Sequence, residues 1–166
     1  ATWKKITKGL PKGELGRIAL AISPSNPTHL LAIVEAKDTK LYASADGGNS
    51  WTEQAATSNV EARPFYFSTL VFDPKDDKRV YRPAFELSIS DDGGRSFTDA
   101  SDEGGWVHSD QHALWVNPLY TNQVWLGTDG GVFLSNDRGM TWKFIDNIPV
   151  AQFYHVTFDT KEPYNV

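Results

Sequence analysis

The chain has 166 residues, 40% of them apolar and 22% charged, the profile of a folded domain and not of a disordered segment. A net charge of −5 leaves no basic surface for a nucleic-acid backbone, and no apolar run is long enough to insert into a membrane. Having no cysteine, the chain has neither a disulfide framework nor a thiolate metal site.

The opening ATWKKITKGL lacks the apolar middle of a signal peptide. Such a leader could have been removed, or the chain could begin inside a longer protein. Residues 2–6 read as a strand, followed at 16–22 by a second one, GRIALAI, that ends in a Ser-Pro turn. The octet SADGGNSW (44–51) then supplies the organising signal, because it returns as SDDGGRSF (90–97) and SNDRGMTW (135–142). The spacing is 46 residues from Asp46 to Asp92 and 45 from Asp92 to Asp137. Thr2-Trp3 falls 48 residues before Ser50-Trp51, like the tail of a further copy. Pro24, Pro74 and Pro118 keep step ahead of the three octets. Periods in the forties belong to propeller blades and solenoid turns.

Within a period the texture is that of short strands. In the third, HALWVNP, QVWLGTD, GVFLSND and TWKFID are rich in β-branched and aromatic residues and separated by Asn-Pro, Asp-Gly-Gly and Asn-Asp-Arg-Gly. Four strands in about 45 residues make a β-propeller blade. The fold expected is all-β: a partial β-propeller of about three four-stranded blades (16–55, 66–101 and 108–146), one segment of a single propeller. A last strand of a preceding blade (2–6) and a first strand of a following one (152–160) flank them. No run shows helical periodicity. Each octet becomes the hairpin between third and fourth strands, and its residues have structural duties. Ser44, Ser90 and Ser135 with Asp46, Asp92 and Asp137 bond the turn. Gly48, Gly94 and Gly139 supply positive φ, and Trp51, Phe97 and Trp142 begin the last strand.

The innermost strands align face by face. Ile18, Leu20 and Ile22 match Ser68, Leu70 and Phe72, then His112, Leu114 and Val116, then Tyr154, Val156 and Phe158. Ala19 and Ala21, Thr69 and Val71, Ala113 and Trp115, and His155 and Thr157 share the opposite face. The starts of these strands would line one mouth of the central channel, where ligand sites are favoured.

At that mouth lies HSDQH, in which period-two spacing would put His108, Asp110 and His112 on one face. A structural hydrogen-bond cluster is the favoured reading, a polar ligand or proton-transfer site the second, and a bound metal ion the third. The outer Cα atoms of such a strand stand about 13 Å apart, at the limit of reach for one ion. Asp129, in GTDGGVF, is a second candidate, set against a tight Asp-Gly turn needing positive φ. Arg17 could bind an anion at the same mouth or pair with a structural carboxylate. Trp106, between glycines and the histidine cluster, has no evident core duty and could contact a ligand; Phe65, Tyr66, Trp115, Trp125 and Tyr154 are further aromatics of that kind. DPKDDKR (73–79) lacks the glycine and glutamate of a calcium loop and reads as a solvated turn.

The octet resembles the Asp-box, or BNR repeat, of sialidases, sortilin-type receptors and some endoglucanases. With GRIALAISPSNP, HSDQHALWVNP, GTDGGVFLSNDRGMTW and AQFYHVTFDTKEPYNV, nearly the whole chain resembles large bacterial secreted proteins with sortilin-like propellers, often called glycosyl-hydrolase-like. The resemblance implies an extracytoplasmic location and octets remote from any active site. It also implies further blades, so the expected partners are the rest of a larger propeller or another copy of the chain, with a glycan or peptide as ligand. A binding or scaffold module without a cofactor leads the functional reading. The alternative is a glycoside hydrolase, which needs two carboxyl groups roughly 5–9.5 Å apart. Asp110 with Asp129 or Glu103 is the grouping with a case. Self-association through bare sheet edges is a third class.

Overall fold

The computed structural model describes residues 2–99, 106–151, 155–163 and 165. Glu103, Tyr154 and residues 152 and 153 of the expected last strand lie outside them. Three four-stranded antiparallel sheets follow one another along the chain, each ordered as a simple meander. The first is β1 (Ile18–Ile22), β2 (Leu30–Val34), β3 (Lys40–Ser44) and β4 (Thr52–Glu53). After the single-turn helix α1 (Ser58–Glu61), β5 (Val71–Asp73), β6 (Asp76–Pro83), β7 (Leu87–Ser90) and β8 (Thr98–Asp99) form the second. The third holds β9 (Gln111–Val116), β10 (Val124–Thr128), β11 (Gly131–Ser135) and β12 (Lys143–Ile145).

The strand sequences explain how the sheets stack. In β1, Ala19 and Ala21 are buried while Ile18, Leu20 and Ile22 are about half exposed. The small face meets the second sheet: Ala19, Ala21, Leu31, Ile33 and Leu41 share a core with Leu70, Phe72, Val80 and Phe97. The same phase recurs at the next junction, where Val71, Tyr81 and Ile89 pack on Leu114, Val116 and Val124. Residues 70, 72, 114 and 116 therefore face the preceding sheet, as Ile18, Leu20 and Ile22 would if one covered them. Ala113 and Trp115 point out of the opposite end of the stack. Sheets stacked face to face in one constant sense, each a four-stranded meander, make this a partial β-propeller.

Two expectations need correction. Residues 2–6 and 155–160 carry no strand, because a lone first or last strand needs sheet neighbours for its ladder and none of the described residues provides them. Instead the N-terminal segment lies over the first sheet, where Leu10 and Trp51 pack on Ala32, Val34 and Tyr42, and the Trp51 amide donates to the Lys8 carbonyl at 3.0 Å. Gly9 permits the approach: a Cβ there would fall 1.7 Å from the Trp51 oxygen. Helix α1, absent from the sequence reading, is one turn capped by the Thr57 hydroxyl, which accepts from the Val60 amide. A single turn is too short to show periodicity.

Candidate functional site

The octets are turns closed by their own side chains. Ser44, Ser90 and Ser135 donate to Oδ1 of Asp46, Asp92 and Asp137 at 2.8, 2.8 and 2.7 Å. Four residues beyond each aspartate, a Ser or Thr gives its amide to Oδ1 and its hydroxyl to Oδ2; for Ser50 these bonds are 2.8 and 2.6 Å. The amides of Gly48, Gly94 and Gly139, at φ near +85°, donate back to the serine hydroxyls. The Ser50 hydroxyl, more than any other group, holds the Asp46 carboxyl down at about 2. For Asp92 burial pushes upward, but hydrogen bonds from Ser96, Ser90 and the Arg95 amide outweigh it, again to about 2. Carboxylates so committed to their own turns are structural.

Residues 73–79, expected as a solvated turn, instead join two blades. Arg138 stands where the other octets have Gly47 and Gly93, and shares their left-handed backbone at φ +62°. Its Nη2 lies 2.8 Å from Asp76 and 3.3 Å from Asp73, which is fully buried. Its carbonyl accepts from Arg79 and from the Tyr81 hydroxyl. Across the earlier junction, Asp77 accepts from Asn26 Nδ2 at 2.8 Å.

The other rim of the stack is built by residues 57–70, held down by Arg82. This arginine, on β6, is fully buried and donates to five backbone carbonyls: Pro83 at 2.7 Å, Phe67 at 3.0 Å, Val60 at 3.1 Å, and Thr69 and Ala62 at 3.4 Å. Burial pulls its guanidinium down to about 10, so it stays charged at neutral pH. Four of the five carbonyls, those of Val60, Ala62, Phe67 and Thr69, belong to the strand-free backbone of the loop and of its helix, which would otherwise be buried without partners. Arg82 thereby fixes a loop that presents Arg63, Phe65 and Tyr66 outward and Phe67 inward.

On this platform sits His112. Its ring stacks on Phe67 (centroids 5.5 Å, planes 22° apart) and meets the Tyr66 ring edge-on at 5.1 Å. Its Nε2 is 3.0 Å from Asp129 Oδ1. The two candidate residues His112 and Asp129 are thus brought together. Asp129 and Gly130 form the two-residue turn between β10 and β11, and the positive φ falls on Gly131 (+124°), one residue later than the sequence suggested.

His108 and Asp110 do not join His112 on a common face, because β9 begins only at Gln111 and Asp110 takes a left-handed backbone, φ +57°. That kink lets Asp110 and Gln111 donate their amides to Phe85 and Ala84, docking the strand on the second sheet. His108 turns back on itself, donating from Nδ1 to the Ser109 carbonyl at 2.7 Å, and its ring packs where a side chain on Gly130 would stand. The Asp110 carboxylate accepts from the Ser109 hydroxyl at 3.3 Å. Among the described residues, no group of three or more acidic or histidine side chains is placed to hold a metal ion.

Trp106 is 68% exposed, edge-on to His108 at 5.6 Å. Arg17 precedes β1 and its Nη1 donates to the Phe65 carbonyl at 3.1 Å, so it joins the same rim. The sequence reading missed Arg63, Arg82 and Phe85. Arg63 lies within 5.6 Å of the Phe65, Tyr66 and Phe85 ring centroids. The dense run RPFYF at 63–67, outside the repeat register, was the available signal for the first.

No protein-family model matches the chain, and no curated protein does. Solved structures of β-propeller proteins do. A GH74 enzyme of Niastella koreensis is 23% identical with a TM-score of 0.66, over 78% of this chain and 22% of that one. YCF48 of Cyanidioschyzon merolae is 18% identical with a TM-score of 0.55, over 75% of this chain and 35% of that one. A structure of YCF48 bound to D1 peptide is 15% identical with a TM-score of 0.51, over 82% of this chain and 46% of that one. The chain therefore spans about a fifth to under a half of these neighbours, and the likeness is one of fold.

Proposed function

We propose that this chain is a segment of an extracytoplasmic Asp-box propeller that acts as a binding module, and that the rim of residues 63–67, 85, 106–112 and 129 takes an extended peptide or glycan. The observation that carries the reading is the exposed aromatic platform itself. Phe65 and Tyr66 are half exposed beside the His112–Asp129 pair, although the loop beneath them is tied down by a buried arginine. A rigid base presenting aromatic side chains to solvent is the arrangement that recognition sites use. Peptide binding by one structural neighbour, YCF48, supports it at the level of fold. The uncovered faces at Ile18, Leu20 and Ile22 and at Trp115 support partnership with further blades or a second copy.

The test is a peptide-library and glycan-array screen of the chain and its Tyr66→Ala and His112→Ala variants. Hits that vanish in both variants, with the folded signal retained, are the expected result. Hits indifferent to both would move the site off this rim. The hydrolase alternative has one observation in its favour: the Asp129 amide donates to the Asp110 carbonyl at 3.1 Å, which sets two carboxylate-bearing residues side by side. Release of reducing sugar from β-glucans or sialosides, lost in Asp110→Asn, would select it.

A further inference from the structure

Two arginines at the rim have no carboxylate partner among the described residues. Arg63 has an exposed side chain whose guanidinium carbon lies 5.3 Å from the Tyr66 ring centroid, 5.5 Å from that of Phe85 and 5.6 Å from that of Phe65. Arg17 reaches the same place from the first sheet, its Nη1 on the Phe65 carbonyl. The nearby Glu35 does not neutralise it by pairing: that carboxylate accepts from the Arg17 amide at 2.8 Å. A chain carrying a net −5 has acidic side chains to spare, yet two guanidinium groups converge on Phe65 without one.

The geometry limits what could answer them. Ring faces that receive a guanidinium are not open for a sugar ring to stack on. The guanidinium itself is different: stacking on aromatic faces leaves its planar N–H edge free, and that fork matches a carboxylate with two parallel bonds. The rings also hold Arg63 in place, so less rotamer freedom is lost on binding. We propose that Arg17 and Arg63 form a subsite for the Asp and Glu side chains of an acidic polypeptide segment, laid across the Phe65–Tyr66 platform. This rests on the rim being the binding surface and names the class of ligand it takes.

The experiment measures fluorescence-anisotropy binding of three probes: a labelled peptide alternating Glu and Ser, its Gln-Ser counterpart, and a labelled oligogalacturonate. The unmodified chain should prefer the Glu peptide to the Gln peptide by about tenfold or more, with the preference fading as salt rises. Arg63→Gln and Arg17→Gln should each remove most of that preference. Arg63→Lys should keep only part of it, and Arg95→Gln, in the cleft between the first two octets, should leave it unchanged. Equal affinity for the Glu and Gln peptides overturns the proposal without need of any variant. Tighter binding of the oligogalacturonate than of the Glu peptide also overturns it, in favour of an acidic glycan. If the Gln peptide binds as tightly as the Glu peptide and Tyr66→Ala abolishes both, the rim stands and the acidic subsite falls. If Glu-peptide binding ignores the arginine variants and Tyr66→Ala alike, the rim falls with it.

Discussion

Replacing Arg82 with Met should separate the stability of the rim loop from that of the sheets. Arg82 makes three hydrogen bonds of 3.1 Å or less to Pro83, Phe67 and Val60 and two longer ones. Bonds from a charged donor contribute roughly 1.5–3 kcal/mol each, so losing the three shorter ones costs on the order of 5–9 kcal/mol gross. Against this, Met relieves the cost of burying a cation. The lowering to about 10 that burial imposes on the Arg82 guanidinium corresponds to roughly 3 kcal/mol. The net loss is about 2–6 kcal/mol, a large part of a domain stability of about 5–15 kcal/mol. At about 2–4 °C per kcal/mol, the melting temperature should fall by roughly 5–25 °C. Hydrogen exchange locates the damage. The Tyr66 and Phe67 amides, bonded to the Arg63 carbonyl at 2.9 Å, should exchange faster by a larger factor than those of β2. A Met variant with unchanged melting and unchanged exchange at 66 and 67 would refute the claim that this side chain holds the loop.

Arg138→Gly should destabilise the chain by about 2 kcal/mol in urea unfolding even though glycine suits φ +62°, because the fully buried Asp73 loses its counter-charge; a stabilised variant would refute this. Asp46 and Asp92 lose their protons at about 2 in the fold and near 3.8 unfolded, so their support is present above about pH 4 and drains as pH falls toward 2. Asp92→Asn should accordingly lower stability at pH 7 and flatten the acid limb of the stability curve, the two chains converging near pH 2. Gly9→Ala should free the N-terminal segment from the first sheet, seen as a red shift and faster quenching of Trp51 fluorescence, because its Cβ would overlap the Trp51 carbonyl.

What could be read from the sequence is what the repeat enforces. The phase of the inner strands, with residues 70, 72, 114 and 116 turned to the preceding sheet, follows from alternation, and the octet hairpins follow from Ser, Asp and Gly at fixed offsets. The HSDQH cluster failed because alternation was extended three residues too far: one left-handed residue, Asp110, ends the strand's period and sends His108 to Gly130. Arg82 was illegible for another reason. An arginine in RVYRPAF looks like the exposed member of an alternating pair, and only the loop folded over it reveals four carbonyls in need of a donor. The 73–79 segment misled in the same way, since its acidic residues look solvated until Arg138 arrives from the next blade.

The division is physical. Residues that close an octet satisfy a need within eight positions, so the solution recurs wherever the octet does, and a carboxylate committed to four local donors has nothing left for a ligand. The rim is built by the segments that break the period, 57–70 and 106–110, whose backbone cannot join a ladder. Such backbone must be tied by side chains: Arg82 reaches it from β6, and its own Asn59 donates outward to the Glu86 carbonyl and the Ser88 hydroxyl. Those ties in turn free Arg63, Phe65 and Tyr66 from structural duty. In this propeller, therefore, recognition is expected where the periodicity lapses and the chain has had to supply a non-local anchor.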